Sequence, residues 1–458
     1  MSKIRFIEKV GYGFGDMASS MFWKIFSYYL PFFYSNVFGL RLDQVALLLM
    51  VTRIWDAVSD PMMGMIADRT DTKWGRYRPY VLFAAVPFAV CGILLFTTPD
   101  WGAGAKLVWA YVSYMLMMTA YTALNVPYGA MLGVMTDDSS EKTVLSSYRM
   151  FFAYIGSFVV LFVWEPLVEL FSRTSSLQTS WQLSMTVVAV VCILLFLLTF
   201  ALTKERVRPP VSGSVLDDMK SLLKNAPFWL LVCAALCSNL FMTLRGSTVA
   251  YFFKDYIPAG SNISFGGVSF LFYAGLFLSV GEIANMVGVS MASPLSRYIG
   301  KKDTFFVSML ALAVLSVAFF FIPVTGTGFL LMLLLQVLIS VFTGVISPLL
   351  WSMYADVADY SEYRYGSSST GLIFSSSSMA QKFGSAFGGA LVMWLLAAFG
   401  YQTAEGSQQT AEALKGLNLL MSFIPAGIAL LSMVLIRFYP LTRSRMSEIE
   451  SALKTQRG

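Results

Sequence analysis

Three charged residues share one face of a strongly apolar segment in the first part of the chain. Arg53, Asp56 and Asp60 are spaced by three and four residues, so a helix from about Asp43 to Ala67 projects them from one side. A charge at the centre of a bilayer costs about 2.5–3.5 kcal/mol on insertion scales, so each of them needs a partner, an ion or water. Carboxylate oxygens are ligands for hard cations, and two neighbouring acids can share a proton. The pattern predicts a cation or proton site, and its alternative is an internal salt bridge that only fixes helix packing.

A short basic turn comes directly after this helix. Residues 68–78 contain five residues that we expect to form a gate together with Arg53, namely Asp68, Arg69, Gly75, Arg76 and Arg78. Basic loops are retained on the cytoplasmic side of a membrane. We therefore expect the turn to lie on that side and to hold it shut by pairing with the ends of nearby helices.

The composition of the chain is that of a membrane protein. Among its 458 residues 57% are apolar and 13% are charged, and the mean hydropathy is +0.67. Soluble domains, by contrast, contain about 25% charged residues. His is absent, which excludes His-based proton relays and catalytic triads, and the four Cys residues lie in apolar stretches. Neither a disulfide framework nor a zinc site is indicated, so carboxylates are the side chains that we expect to titrate during function.

Apolar stretches long enough to cross a bilayer recur twelve times along the chain. They lie at residues 12–38, 43–67, 80–98, 107–135, 145–171, 182–203, 227–253, 266–295, 304–324, 328–353, 371–399 and 416–438. A spanning helix needs about 20 residues. The pattern predicts an all-α membrane protein with twelve transmembrane helices, arranged as two six-helix halves in a parallel repeat.

The polar segments divide this layout into four parts. Residues 1–203 would form the N-terminal half, 204–225 a cytoplasmic central loop, 226–438 the C-terminal half and 439–458 a cytoplasmic tail. Most of the 32 Lys and Arg residues fall at the N-terminus, in alternate loops and in the tail. That bias predicts a multi-pass protein of the inner membrane with both termini in the cytoplasm.

The two halves resemble each other at corresponding helices. Pro127 lies near the end of the fourth span and Pro348 near the end of the tenth, each followed by an acidic helix end. A cation enters the next span in both halves, Arg149 in the first and Lys382 in the second. Parallel halves of six spans, with a transport site at mid-membrane, are typical of the major-facilitator plan.

Several long motifs occur in an order that points to one family within this plan. They lie at residues 11–16 (GYGFGD), 33–40 (FYSNVFGL), 53–61 (RIWDAVSDP), 125–130 (NVPYGA), 356–364 (DVADYSEYR) and 382–387 (KFGSAF). With these motifs the chain resembles the glycoside–pentoside–hexuronide:cation symporters, the melibiose-permease family of the major facilitator superfamily. The resemblance covers most of the sequence.

The resemblance implies where the coupling ion and the sugar bind. Asp56, Asp60 and Thr122 match the family's site for Na⁺ or H⁺, with Asn125 beside it. The side chains that we expect at the sugar site are Asp16, Ser20, Tyr121, Asn125, Tyr128, Arg149, Trp351 and Lys382. Arg149 and Lys382 match family cations that can donate hydrogen bonds to sugar hydroxyls or to a uronate. The three aromatic residues are candidates for stacking on a sugar ring.

Two positions depart from the melibiose carriers. Those carriers have acids where this chain has Ser20 and Asn125, one gripping the sugar and the other lying between sugar and cation. Their absence argues against a galactoside mode of binding. The loss of an acid near the ion site also weakens the case for Na⁺ and slightly favours H⁺ as the coupling ion, although both stay open. Asp16, about one helical turn before Ser20, is a partial substitute, and its alternative role is that of a helix-start or packing residue.

These observations predict a secondary active symporter that imports a glycoside, oligosaccharide or uronide by alternating access. The alternative within the superfamily is a carrier of another amphipathic solute, such as a lysolipid or a drug. An intramembrane enzyme using Asp56 and Asp60 as acid and base is disfavoured, since His and a nucleophile motif are absent. We expect no cofactor besides the coupling ion, and the expected partners are a small sugar or glycoside and membrane lipid. No nucleic acid is expected to bind, and we expect a monomer.

Overall fold

The computed structural model describes residues 4–136, 139–206, 224–265, 268–365, 370–404 and 408–457. By its internal packing the chain divides into two units. The first consists of Met1–Val211, Ala274–Ser279 and Gln402–Gln408, and the second of Ser212–Tyr273, Val280–Tyr401 and Gln409–Gly458.

Among its described residues, the first unit has six long helices. Its elements are α1 (Phe6–Tyr28), the short α2 (Leu30–Phe32), a π-helical turn (Phe33–Val37), α3 (Leu42–Arg69), α4 (Arg78–Leu95), α5 (Ala103–Met135), α6 (Ser139–Ser172) and α7 (Leu177–Leu202). Local sequence explains several of the boundaries. Pro79 lies in the first turn of α4, where its missing N–H costs nothing, and the Ser176 side chain caps α7 by accepting from the N–H of Thr179.

The second unit repeats this organisation. Its elements are α8 (Ala226–Tyr251), a π-helical turn (Phe252–Tyr256), strands β1 (Asn262–Phe265) and β2 (Val268–Leu271), α9 (Ala274–Ile299, in this unit from Val280), α10 (Lys301–Phe320), α11 (Gly326–Tyr365), α12 (Thr370–Ala398), α13 (Ala411–Met421), α14 (Phe423–Arg437) and α15 (Arg443–Arg457). Helices α13 and α14 are separated by a break at Ser422, where φ is −131° and ψ is −90°. Taken together they form the sixth long segment of this unit.

Both units pack their helices in the same pairs. In the first unit α1 contacts α6 and α7, α4 contacts α5 and α7, and α3 contacts α5. In the second unit α8 contacts α12 and α14, and α10 contacts α11 and α14. The second and fourth helices, α9 and α11, meet at Gly288 and Gly344, where an added Cβ would collide with backbone of the other helix. The weak repeat in the sequence therefore corresponds to the same helix pairing in each unit.

The outward faces of these helices are apolar. Phe83 on α4, Val108 on α5 and Leu194 on α7 are among the many large apolar side chains that are more than half exposed. Soluble proteins rarely expose contiguous apolar surface on this scale. Within the described residues, nine helices are long and apolar enough to cross a bilayer. The protein is therefore an all-α, multi-pass membrane protein.

Three long helices of the twelve-span layout are absent from those nine. They are α1, α3 and α12, and each carries charged residues in its interior: Asp16 and Lys24 on α1, Arg53, Asp56 and Asp60 on α3, and Lys382 on α12. Their lengths, 23, 28 and 29 residues, are those of spanning helices. Interior charges make α1 and α3 less apolar than the other spans, whereas α12 carries the single charge Lys382 beside Gln381 and several Gly and Ser residues.

The structure corrects two expected boundaries. The eighth span was expected from residue 266, but strands β1 and β2 form an antiparallel hairpin up to Leu271 and α9 begins only at Ala274. The run from residue 262 to 273 contains several Ser, Phe and Gly residues and alternates enough to pair as strands. The tenth span was expected to end near residue 353, but α11 continues to Tyr365.

Candidate transport site

The two acids of α3 meet a hydroxyl of α5 inside the first unit. Thr122 Oγ1 lies 3.2 Å from Asp56 Oδ1 and 3.0 Å from Asp60 Oδ1. Asp56 is fully buried and Asp60 is half-buried. Ser59 Oγ lies 3.3 Å from the same hydroxyl and donates to the backbone carbonyl of Asp56. The structure thus gathers two carboxylates and two hydroxyls, all of them oxygen donors, in one place.

The hydroxyl of Thr122 lies between two carboxylates that can both accept its proton. A Thr hydroxyl carries one proton, so Thr122 can donate to only one of the two carboxylates at a time. Two neighbouring ionised acids also repel each other, and a proton or a small cation among these oxygens relieves that repulsion.

Helices α3 and α5 are held together beside this cluster by polar and aromatic contacts. Trp55 Nε1 donates to Thr119 Oγ1 at 2.8 Å, about one turn away from Thr122. The buried guanidinium of Arg53 lies 4.4 Å from the ring centre of Trp23 on α1, a cation–π contact, and the ring of Trp23 lies 5.5 Å from that of Tyr121. Trp23 therefore links the charged face of α3 to the aromatic side chain of Tyr121.

A second polar cluster joins α1 to α6. Arg149 holds Asp16 through two hydrogen bonds, Nε to Oδ2 at 2.7 Å and Nη2 to Oδ1 at 3.3 Å. The guanidinium lies 5.0 Å from the ring centre of Tyr128 and 5.7 Å from that of Tyr12, and its Nη1 lies 3.5 Å from the Tyr12 hydroxyl. Asp16 is therefore not a helix-start residue, because it lies in the interior of α1, and its pair with Arg149 also joins α1 to α6.

Tyr128 supports Arg149 from within the protein. Its side chain is fully buried, its hydroxyl donates to the backbone carbonyl of Tyr12 at 2.5 Å, and the two tyrosine rings lie 5.0 Å apart. Tyr128 therefore packs against the Arg149 guanidinium from the protein interior, and its fully buried ring has no exposed face on which a solute could stack. Tyr121 is 9% exposed and packs against Trp23 and Phe88.

Tyr121 lies one residue before Thr122 on α5, and its ring packs against that of Trp23 on α1, the helix that also carries Asp16. The expected cation residue Thr122 and the expected sugar residue Asp16 are thus on helices of the first unit that contact each other through these two rings.

The remaining expected residues are distributed over both units. Ser20 on α1 and Asn125 on α5 are half-buried and make no hydrogen bond within the part of the chain that the structure describes. Trp351 on α11 and Lys382 on α12 belong to the second unit, and both are half-buried. The ring of Trp351 lies 6.1 Å from that of Tyr354 in an edge-on arrangement.

The basic turn between α3 and α4 docks onto an acid that the sequence reading did not single out. The carboxylate of Glu205 accepts hydrogen bonds from the backbone N–H groups of Arg76, Tyr77 and Arg78 at 2.7, 2.8 and 2.8 Å. Gly75 has a φ of +118°, and an added Cβ would lie 2.5 Å from the Glu205 carboxylate. The glycine is therefore required both by its backbone conformation and by the approach of this acid.

Side chains of the turn and of its docking segment extend the contact. Arg78 Nη2 donates to the carbonyl of Phe200 at 2.6 Å, near the end of α7. Arg206 donates to both oxygens of Glu8 at 2.9 and 2.8 Å, and its N–H donates to the carbonyl of Val134. Residues 204–206 thus tie together α1, α5 and the turn, all within the first unit. The expected pairing of the turn with nearby helix ends is present, although Arg69 is exposed and the side chain of Asp68 lies outside the described residues.

The family is shown by comparison with known proteins. Residues 11–443 match the family model described as MFS/sugar transport protein. The chain belongs to the MFS/sugar transport protein family. It is 33% identical to the inner membrane symporter YicJ of Escherichia coli (strain K12) over 448 residues, which cover 97% of this chain and 94% of that one. It is 31% identical to an isoprimeverose transporter of Lactiplantibacillus pentosus, over 95% of this chain and 89% of that one.

A solved structure supports the fold alone. A bacterial homologue of the human drug peptide transporters PepT1 and PepT2 superposes with a TM-score of 0.70 at 13% identity, covering 96% of this chain and 100% of that one. The predicted family and the major-facilitator fold are confirmed, and this family member is a transporter and not an enzyme.

The second unit of the transporter has a turn that corresponds to the basic turn of the first. Gly300, between α9 and α10, has a φ of +91°, like Gly75 between α3 and α4. Lys302 Nζ donates to the carbonyls of Arg437 and Tyr439 at the end of α14, as Arg78 does at the end of α7. Lys301 pairs with Asp356 at 2.6 Å. In both units the loop after the second long helix therefore binds the end of the sixth.

The second unit also contains a buried guanidinium on α8. Arg245 is 5% exposed, donates to the carbonyl of Met421 at the break between α13 and α14, and reaches Gln336 Oε1 on α11 at 3.0 Å. Its Cζ lies 5.1 Å from the ring centre of Phe319. The break leaves helix carbonyls without intrahelical donors, and Arg245 satisfies one of them.

Sequence reasoning missed several residues of the two clusters. Tyr12 precedes Asp16 by four residues, so the helical spacing could have placed it on the same face. Ser59 lies between the two acids but points to Thr122. Glu205 sits in a short charged segment after α7, and nothing in its spacing indicates which backbone it binds.

Proposed function

We propose that this transporter is a symporter that imports a glycoside, oligosaccharide or uronide together with H⁺ or Na⁺. The observation that carries the proposal is the hydroxyl of Thr122 between the carboxylates of Asp56 and Asp60 in a buried part of the first unit. The names of its relatives, a symporter and an isoprimeverose transporter, support the choice of solute class.

In this proposal the cation controls the charge of the α3 face. Without it, Asp56 and Asp60 repel each other across one hydroxyl. A bound cation removes this repulsion, lets α3 and α5 approach around Thr122, and so prepares Tyr121 and Asp16 for the sugar. Because each ligand favours the state that the other favours, the coupling is a reciprocal free energy between two neighbouring sites.

We further propose the setting in which the transporter works. Both termini would face the cytoplasm of the inner membrane, which the bias of Lys and Arg between alternate loops supports. The turn at residues 68–78, together with Arg53 in the interior of α3, would act as a cytoplasmic gate. Lys382 and Trp351 remain candidate sugar-binding residues on the strength of the family resemblance alone. No cofactor besides the coupling ion would be needed, and the transporter would act as a monomer in lipid.

The test uses purified protein in sealed proteoliposomes with imposed Na⁺ or pH gradients. A panel of radiolabelled glycosides first identifies a solute that accumulates against its gradient. Asp60→Asn should abolish this accumulation and retain part of the solute exchange at zero gradient, because the sugar site remains while the charge that holds the cation is lost.

The matched control is Asp43→Asn on the same helix. Asp43 is exposed and pairs with Arg41 at 3.0 Å, so its loss removes one carboxylate far from Thr122. Normal uphill uptake is expected from this control. Uphill uptake by Asp60→Asn equal to that of Asp43→Asn would remove the α3 acids from the coupling role.

A further inference from the structure

An uncharged residue of the second unit occupies the position that corresponds to Asp60. The glycines of positive φ that follow the second long helix of each unit, Gly75 and Gly300, set the register between the two units. Asp60 precedes Gly75 by 15 residues, and Asn285 precedes Gly300 by 15 residues. Asn285 on α9 is therefore the counterpart of Asp60 on α3.

The fourth long helix of each unit sets a register of its own. Pro127 lies inside α5 and Pro348 lies inside α11. Thr122 precedes Pro127 by five residues, and Thr343 precedes Pro348 by five residues. Thr343 on α11 is therefore the counterpart of Thr122 on α5.

The two counterpart residues make the same contact as the originals. Thr343 Oγ1 lies 2.8 Å from Asn285 Oδ1 in the second unit. In the first unit Thr122 Oγ1 lies 3.0 Å from Asp60 Oδ1. Registers that come from different helices thus meet at one hydrogen bond, so the α9–α11 contact is the repeat of the α3–α5 contact.

The charges of the α3 face are missing from this repeat. Counted back from the two glycines, the positions of Arg53, Asp56 and Asp60 correspond to Leu278, Gly281 and Asn285. An amide has both a donor and an acceptor, so Asn285 satisfies a hydroxyl without a proton or an ion from solution. The nearest titratable residue along α9 is the buried Glu282, and Arg245 reaches Gln336, two turns before Thr343 on α11.

Backbone contact fixes the spacing of this second helix pair. Gly288 and Gly344 lie within one turn of the counterpart residues, and an added Cβ at either would collide with backbone of the other helix. Small residues allow spanning helices to approach this closely. The corresponding residues of the first unit are Met63 and Ala123. Side chains therefore separate α3 from α5 at the level where α9 and α11 meet through their backbones.

We propose that Asn285 and Thr343 form the neutral counterpart of the cation site and hold α9 and α11 at one spacing throughout the transport cycle. Asn285 is a positioning residue, whose amide does permanently what the cation does for Asp60 while it is bound. The inference rests on the proposed function, since it takes Asp56 and Asp60 to bind the ion. It confines the ion-dependent change in helix packing to α3 and α5.

The test measures hydrogen exchange of the purified full-length protein without solute. Exchange is compared in NaCl and in choline chloride, and at acidic and alkaline pH after division by the intrinsic rate at each pH. In the wild type, amides of α3 and α5 around Asp60 and Thr122 should exchange about tenfold more slowly when the ion is at about ten times its Kd. Amides of α9 and α11 around Asn285 and Thr343 should stay within about twofold in all conditions.

Asn285→Asp should give the second helix pair the ion response that it lacks. The added carboxylate lies in the membrane interior beside Thr343 and requires a proton or a cation, so exchange of α9 and α11 should change by about tenfold or more between conditions. Asn285→Ala loses the same amide and should speed this exchange by about two- to twelvefold, equally in all conditions. A merely structural role would give both variants the same ion-independent change.

Asn239→Asp on α8 is the matched control. Asn239 is half-buried like Asn285, but its amide donates to the carbonyl of Ala235 on its own helix at 2.9 Å. This control should leave the exchange of α9 and α11 independent of the ion. If Asn285→Asp does not fold, Thr343→Val and Thr122→Val decide the question. Thr343→Val should speed exchange of α9 and α11 equally in all conditions, whereas Thr122→Val should alter the ion response of α3 and α5.

The contrary outcomes distinguish this inference from the proposed coupling. An ion response of α9 and α11 in the wild type or in Thr343→Val, or its absence in Asn285→Asp, overturns the inference. A wild type in which α3 and α5 respond to neither ion overturns the proposed cation site instead. In that case a gain of ion response in Asn285→Asp still supports the fixed contact between α9 and α11.

Discussion

Glu205 holds the turn after α3 through backbone hydrogen bonds, so the loss of its charge should lower the local stability of that turn. One carboxylate accepts three consecutive backbone N–H groups, those of Arg76, Tyr77 and Arg78, at 2.7–2.8 Å. These groups precede or begin α4, where the helix dipole also favours a negative charge. The perturbation is Glu205→Gln, which keeps the shape of the side chain but removes its charge and one acceptor oxygen.

The magnitude follows from the number and type of the lost hydrogen bonds. A hydrogen bond to a charged group contributes about 1.5–3 kcal/mol, and a neutral one about 0.5–1.5 kcal/mol. The amide oxygen of Gln can still accept from part of the turn, while its NH₂ group faces donors. Because the turn is half-buried and water competes for its N–H groups, we expect a loss of about 2–4 kcal/mol in local stability.

Hydrogen exchange of the purified protein measures this loss directly. The amides of Arg76, Tyr77 and Arg78 should exchange about 30- to 700-fold faster in Glu205→Gln, since each 1.4 kcal/mol of opening free energy is a factor of ten. Glu169→Gln is the matched control, because Glu169 forms only an exposed pair with Arg173 at 3.4 Å. Equal exchange of the turn amides in both variants would refute the assignment of Glu205 as the residue that holds the turn.

Two further predictions concern backbone strain and a buried charge. Gly75→Ala should lower the melting temperature and speed exchange of the same three amides, because a Cβ at φ +118° costs about 1–3 kcal/mol and meets the Glu205 carboxylate. The effects of Gly75→Ala and Glu205→Gln should be less than additive in the double variant. Full additivity would show that the two residues act separately. Arg245→Met should destabilise the second unit by about 2–4 kcal/mol in a thermal-unfolding assay, because the Met421 carbonyl and Gln336 each lose a donor. The control is Arg173→Met, which removes an exposed side chain and should change the midpoint of thermal unfolding little.

Much of the fold could be predicted because it depends on properties that a sequence states directly. Apolar length marks the spans, and the six-and-six division follows from the polar segment after α7. The spacing of Asp56 and Asp60 placed both on one helix face, and Thr122 came from the family resemblance; the structure brings all three within hydrogen-bond distance. These features are local, or they belong to motifs that the family shares.

The contacts that could not be predicted connect residues far apart in the chain. Glu205 binds a turn about 128 residues earlier, and Arg149 finds Asp16 133 residues away. Neither pairing is fixed by periodicity, since either charge could have paired with several other residues of opposite sign. The hairpin before α9 was missed for a related reason. Its apolar residues fit a helix or a strand, and pairing between β1 and β2 decides between the two.

The helices that are least apolar are also the ones that carry the candidate site. An intramembrane charge costs free energy in every conformation, so it persists only where it has a partner or a task. In this chain α1, α3 and α12 fall short of the apolarity of the other nine spanning segments, and they carry Asp16, the acids of α3 and Lys382. A low hydropathy in three helices of a twelve-span repeat therefore locates the residues to test first. The helix packing explains why these intramembrane charges are tolerated. Helix α1 lies against α6, which supplies Arg149 to Asp16, and α3 lies against α5, which supplies the Thr122 hydroxyl to Asp60.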